Sequence, residues 1–378
     1  MILEVPVWAE IDLGAIKQNM REIRKFLSPK SEIMAVVKAN AYGHGALETS
    51  KIVLANGAKS LAVARVEEAK ELRKAGIDAP VLLLGYTPGT QFNEVLDLNL
   101  IQTVYSLEMA EALNSVAERS GRQAKVHLKI DTGMGRLGLT PGRPALEDVL
   151  KAARLPHLIL EGIFTHFAAA DSADKTFTLA QLELFNSFLE ELRKAGLEFP
   201  LRHCANSAAL LDLPQTYLNL VRPGIIIYGL YPSGEIQNLI NLKPAMSFKT
   251  RIAQIKKVPA GYKVSYGSTY QTSQPTVIAV ISAGYADGYS RLLSSRGIVL
   301  VNGHRAKVVG RVCMDQCMID VGHINGVSPG DEVTLFGSGG GETIPVEEIA
   351  KLTGTISYEI VCMVNSRVPR FYLNQKKQ

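Results

Sequence analysis

The 378-residue chain has little of the chemistry that would place it in several large protein classes. It carries only four cysteines, Cys204, Cys313, Cys317 and Cys362, and none falls in a CxxC or His-rich spacing. That excludes a disulfide framework in a chain of this length and argues against a zinc site, so no metal is expected. Buried free thiols in a reducing cytoplasm are the expectation. No apolar run is long enough to span a bilayer. The opening MILEVPVWAEID meets an acid at Glu4 and has no basic region, so a cytoplasmic protein without a secretory signal is expected. Basic charge is not concentrated: 41 Lys and Arg against 36 Asp and Glu leave +5, and the only basic run is Lys376-Lys377. Neither a nucleic-acid nor a membrane partner is expected from that distribution. No GxGxxG follows the first strand-like run. The GSGGGE segment, Gly337 to Glu342, lacks the GK[ST] of a phosphate loop and reads as a flexible hairpin. No repeat of solenoid period is present.

What is present is an ordinary globular composition, 47% apolar and 20% charged, long enough for two domains or a barrel with an appendage. Asp12 caps a helix running to about Leu27. Beyond it, short apolar runs alternate with amphipathic helices. The strands are expected at 33–37, 60–64, 80–84, 100–104, 125–130, 158–164, 200–204 and 219–222. Eight strands separated by helices predict a parallel (β/α)8 barrel of the TIM type over residues 1–240. From about 241 to 378 the texture changes to alternating runs broken by glycine-bearing turns. These are Ser247–Val258, Val277–Ala283, Ile298–Val301, Ala306–Val312, Met318–Val321 and Val333–Phe336, and they predict a mostly-β domain.

In barrels of this kind chemistry sits at the carboxyl ends of the strands. The unusual polar residues fall there: Lys38 after the first barrel strand, Lys129, Asp131 and Arg136 after the fifth, and His166 after the sixth. Asn206-Ser207 follows the seventh and Arg222-Pro-Gly224 the eighth. A lysine ending a buried strand either snorkels to water along its stem or reaches a cavity, a partner or a covalent bond. Arg222 either pairs with a rim carboxylate or binds a ligand. Tyr266, in an alternating strand, is either packing or a functional hydroxyl. An unperturbed phenol titrates near ~10, so a base role needs environmental tuning.

The motif AVVKANAYGHG (35–45) resembles the alanine racemase family, as do KIDTGMGRLG, VSYGSTY, SAGYADGY, RVCMDQCMID and SYEIVCMVNSRVPR, which spread over nearly the whole chain. The resemblance implies a Schiff base between Lys38 and pyridoxal 5'-phosphate. It places Tyr42, Ser207, Gly224, Ile225 and Tyr358 on the phosphate, with Asn206 also among the cofactor residues. Arg222 faces the pyridine nitrogen and connects through His166 to Tyr266. Lys38 and Tyr266 are the implied catalytic bases. Arg136 and the Met314 backbone amide receive the substrate carboxylate, and Tyr285 and Tyr358 narrow the entry. Lys129 stands where many relatives carry a lysine carbamate. The implied enzyme is a homodimer with shared active sites, making D-alanine for peptidoglycan, with Tyr266, Met314 and Tyr285 acting in trans. Serine or broader racemases and amino-acid decarboxylases of the same plan are the alternative.

Overall fold

The computed structural model of the chain describes residues 5–374, so Glu4 and the Lys376-Lys377 pair lie outside it. Its first strand, β1 (Val7–Asp12), leads into a helix, Leu13–Phe26, whose first turn is capped by Asp12 Oδ1 accepting from the Ala15 amide at 3.1 Å.

Eight parallel strands follow: β2 (Glu32–Val36), β3 (Ala58–Val63), β4 (Val81–Leu83), β5 (Ile101–Val104), β6 (Ala124–Lys129), β7 (Leu158–Phe164), β8 (Leu201–His203) and β9 (Leu220–Val221). They pair in chain order from β2 to β8, and β9 returns to pair with β2. The remaining seam is bridged where the Arg222 amide donates to the Ala205 carbonyl at 2.9 Å. Covered on both faces, such strands read as unbroken apolar runs, and Ile33 to Val37 are all buried. Every strand expected of the barrel is found within a few residues of its sequence range.

The second unit gathers β1, the Tyr42–Gly45 turn and the described chain from Pro244 onward. Its strands are β10 (Met246–Val258), β11 (Lys263–Val264), β12 (Tyr270–Gln271), β13 (Thr276–Ile281), β14 (Ile298–Val301), β15 (His304–Val308), β16 (Cys317–Asp320), β17 (Glu332–Gly339), β18 (Glu342–Ile344) and β19 (Arg370–Leu373). The antiparallel order β10-β13-β16-β15-β14-β17 closes on itself because β17 also pairs with β10. The GSGGGE segment is the β17–β18 hairpin.

Strand β1 pairs with β10 and β19 in the second unit. Lys249 fixes this corner, its Nζ lying 2.9 Å from Glu10 and 2.8 Å from Glu332. Two sequence expectations change. Tyr266 sits in a turn, Tyr266–Ser268, between the two-residue strands β11 and β12, because Gly267 adopts a positive φ there and breaks the alternation. All four cysteines are free thiols, but only Cys204 and Cys317 are buried; Cys362 is exposed and Cys313 half-buried.

Candidate active site

The segment after β2 is the least ordinary backbone in the chain. Ala39, Asn40, Ala41 and Tyr42 all have φ between 51° and 54°, one turn of left-handed helix. For L-residues that conformation costs about 1–2 kcal/mol each, and it is normally visited by single residues. Local bonds hold the turn: the Ala41 amide donates to Val37 O at 2.8 Å, and Asn40 Oδ1 accepts from the Ala46 amide at 2.8 Å. The Tyr228 hydroxyl donates to Val36 O at 2.9 Å, pinning the strand end. Lys38, half-buried, is thereby presented at the carboxyl end of β2.

Opposite runs a chain of buried nitrogen groups. Arg222 Nη1 donates to His203 Nδ1 at 2.7 Å, and His203 Nε2 lies 2.8 Å from His127 Nδ1. A guanidinium can only donate, so His203 accepts on Nδ1 and carries its proton on Nε2. His127 therefore accepts on Nδ1 and carries its own proton on Nε2, which has no partner among the described residues. Burial, and secondarily the Arg222 charge, depresses both imidazoles, His127 to about 3, so they stay neutral. The second arginine nitrogen, Nη2, donates to Thr165 O at 2.8 Å and Cys204 O at 3.1 Å, and meets His166 Nδ1 at 3.3 Å. Both Nη groups are thus engaged, and Nε–H finds no acceptor among the described residues. Burial pulls the Arg222 pKa down to about 10, which leaves it charged at neutral pH.

Lys129 ends β6 on the same face as His127, two residues earlier. It is 5% exposed, its Nζ lies 4.7 Å from the Phe164 ring centroid, and the amine has no hydrogen-bond partner among the described residues. Burial, then Arg222 and Arg136, holds its pKa well below the usual lysine range. Arg136 is exposed, on a loop organised by Asp131, whose two oxygens accept four amides between Gly133 and Arg136. Burial alone would raise the Asp131 pKa, but those four bonds hold it below the ordinary carboxylate value. After burial, Arg222, Lys129, Arg136 and Lys38 all depress His166, so four basic side chains act on one histidine. At the ends of β8 and β9, Asn206 caps the Ser207–Asp212 helix by accepting from the Ala209 amide at 3.0 Å, and Ser207 Oγ accepts from the Gly224 amide at 2.8 Å. Ile225 opens a 3-10 turn whose first amides have no intrahelical acceptor.

In the second unit the Tyr42 and Tyr358 rings meet at 5.9 Å. Burial pushes the Tyr42 phenol up, so it remains an O–H donor at neutral pH. Tyr266 and Met314, 72% and 54% exposed, line one concave surface of about 1020 Å³ together with Ser265 and Cys313. Tyr285 is exposed as well, and its segment is stitched to theirs: the Tyr285 and Ala286 amides donate to Cys313 O and Met314 O, each at 3.0 Å. The Met314 amide itself has no acceptor among the described residues.

The sequence reading missed His127 and His203. Their signal was two histidines in otherwise apolar parallel strands, where a polar side chain must find a partner inside. It also missed the left-handed turn, which the sequence Ala39-Asn40-Ala41-Tyr42 does not announce. No cluster of potential metal ligands occurs among the described residues.

Two family models match the chain: alanine racemase, N-terminal domain, over residues 11–232, and alanine racemase, C-terminal domain, over residues 245–372. An alanine racemase of Desulforamulus reducens is 54% identical over 372 residues, spanning 98% of this chain and 100% of that protein. One of Methanococcus maripaludis is 52% identical over 370 residues, 98% of this chain and 99% of the other. Among solved structures, the alanine racemase of Clostridium difficile 630 superposes with a TM-score of 0.95 at 41% identity, covering 99% of this chain and 97% of that one. The Bacillus anthracis alanine racemase with bound L-Ala-P gives 0.93 at 41% identity, covering 98% and 96%.

Proposed function

The chain belongs to the alanine racemase family, and from that premise we propose that it interconverts L- and D-alanine with pyridoxal 5'-phosphate and two bases, Lys38 and Tyr266. The observation that carries the reading is Arg222. A buried guanidinium with both Nη groups bonded to protein acceptors keeps its Nε–H, and stays charged, for a neutral ring nitrogen. The donor set fits the cofactor at its other end too. The Ser207 hydroxyl, which accepts from the Gly224 amide and so keeps its own proton to donate, and the Ile225 amide would form a small anion cradle with Gly224 beside them, and the Tyr42 phenol stays protonated. His166, Asn206 and Tyr358 complete the set proposed to hold it, and Lys38 would carry it covalently.

When bound, the conjugated pyridine ring would withdraw the electron pair left at the substrate α-carbon. Because Arg222 does not surrender its proton, it would offer the ring nitrogen a hydrogen bond and not a proton, which would keep that withdrawal moderate. Lys38 Nζ takes or returns the α-proton on one face and the Tyr266 hydroxyl on the other. Arg136 and the unengaged Met314 amide orient the substrate carboxylate, while Tyr285 and Tyr358 narrow the approach. Tyr266 and Met314 stand on an open concave surface, which a second copy's barrel would fill, so a homodimer with Tyr266, Met314 and Tyr285 acting in trans is part of the proposal.

Lys129 is proposed to be carbamylated. The downward pull on its pKa favours the free amine, which would attack CO2 at carbon to give the carbamate anion with release of one proton. The anion would turn the repulsion by Arg136 and Arg222 into attraction. The biological role proposed is cytoplasmic supply of D-alanine for peptidoglycan.

The test is chiral analysis of alanine incubated with the purified protein, with carbon dioxide release followed alongside. Conversion of either isomer to the mixture without gas supports the reading. Carbon dioxide release without racemisation would establish a decarboxylase, and faster conversion of serine a broader racemase.

A further inference from the structure

Ser265 directly precedes Tyr266 and has φ 65° and ψ −177°, a backbone region that only glycine occupies freely. Its side chain explains its presence there. Ser265 Oγ donates to Arg311 O at 2.7 Å, an anchor that glycine could not supply. Across from it Gly310, at φ +75°, leaves the room: a Cβ there would lie 2.8 Å from Ser265 Cβ and 2.9 Å from Val264 O. Gly310 is itself fastened, its amide donating to Ser295 Oγ at 3.1 Å and its carbonyl accepting from the Ser295 amide at 3.0 Å. The Ser268 amide donates to Ser265 O at 3.1 Å, closing the turn with Tyr266 at its tip and 72% exposed.

We propose that Ser265 is a positioning residue for Tyr266: its hydroxyl, clamped to the Arg311 carbonyl, holds the backbone in a glycine-only conformation and so fixes the direction in which the tyrosine leaves the turn. This rests on the reading of Tyr266 as the base for one face of the substrate. A misaimed tyrosine slows proton removal on that face alone, because Lys38 stands on another segment.

The experiment measures washout of α-deuterium from L- and D-alanine in holoenzyme carrying Ser265→Ala, Ser265→Gly, Gly310→Ala or Tyr266→Phe. Each Ser265 variant, and Gly310→Ala by crowding the serine, should lose at least about tenfold in washout from one isomer relative to the other, the same isomer that Tyr266→Phe affects. Cofactor-free Ser265→Ala should also melt below Ser265→Gly, since alanine keeps the backbone cost without the anchor and glycine relieves it. Equal loss from both isomers, no loss, or Ser265→Ala melting at or above Ser265→Gly overturns the positioning role. If Tyr266→Phe shows no selective loss, the base assignment beneath it fails instead.

Discussion

At the level of single residues, the site was legible wherever a chemically unusual side chain ended an apolar run. Lys38, Lys129, His166, Ser207 and Arg222 all stand at carboxyl ends of barrel strands or just beyond them. The protonation pattern was not legible, because it follows from contacts between residues far apart in sequence, such as Arg222 with His203 and His203 with His127. Two expectations belong here. Borohydride treatment of the yellow protein should fix the cofactor on the peptide containing Lys38, and Lys38→Ala should show no covalent attachment; label on another lysine would contradict the assignment. Protein grown or equilibrated with 13C-labelled CO2 should show a carbamate signal that Lys129→Ala lacks. That variant should lose most activity and recover part of it with a small carboxylate, whereas an unmodified Lys129 in wild type would refute the proposal.

At the level of elements, periodicity located the barrel strands because burial on both faces leaves few polar interruptions. It failed at Tyr266, where the alternation of VSYGSTY suggested a strand and Gly267 in fact makes a turn. Strand packing makes its own prediction at Gly162, which pairs with His127 across β6 and β7. A Cβ at Gly162 would sit 2.8 Å from the His127 ring. Gly162→Ala should destabilise the protein by roughly 1–3 kcal/mol through overpacking, seen as a lower urea midpoint at unchanged slope. An unchanged midpoint would mean that the ring can move aside and that the histidine chain is not tightly held.

At the level of the whole molecule, burying neutral histidines couples stability to pH. His127 and His203 titrate lower in the folded chain than the ~6.5 of an unfolded one. Below that value the unfolded chain binds more protons, so the stability they permit is complete above about pH 6.5 and declines as pH falls. The decline continues towards the folded value, about 3 for His127. Two such groups allow a slope of up to about 2.7 kcal/mol per pH unit. Urea midpoints between pH 7 and pH 5 should fall accordingly, and a flat profile would mean that the imidazoles are protonated in the fold.

The division of labour between barrel and β unit is the central claim, and mixed dimers test it most directly. Lys38→Ala and Tyr266→Phe are each expected to be nearly inactive alone. If the two bases of one site come from different subunits, refolding equal amounts together gives heterodimers with one intact site and one doubly defective site. Random mixing then restores about a quarter of wild-type alanine racemisation. No recovery, despite demonstrated heterodimers, would place both bases in one chain and contradict the account.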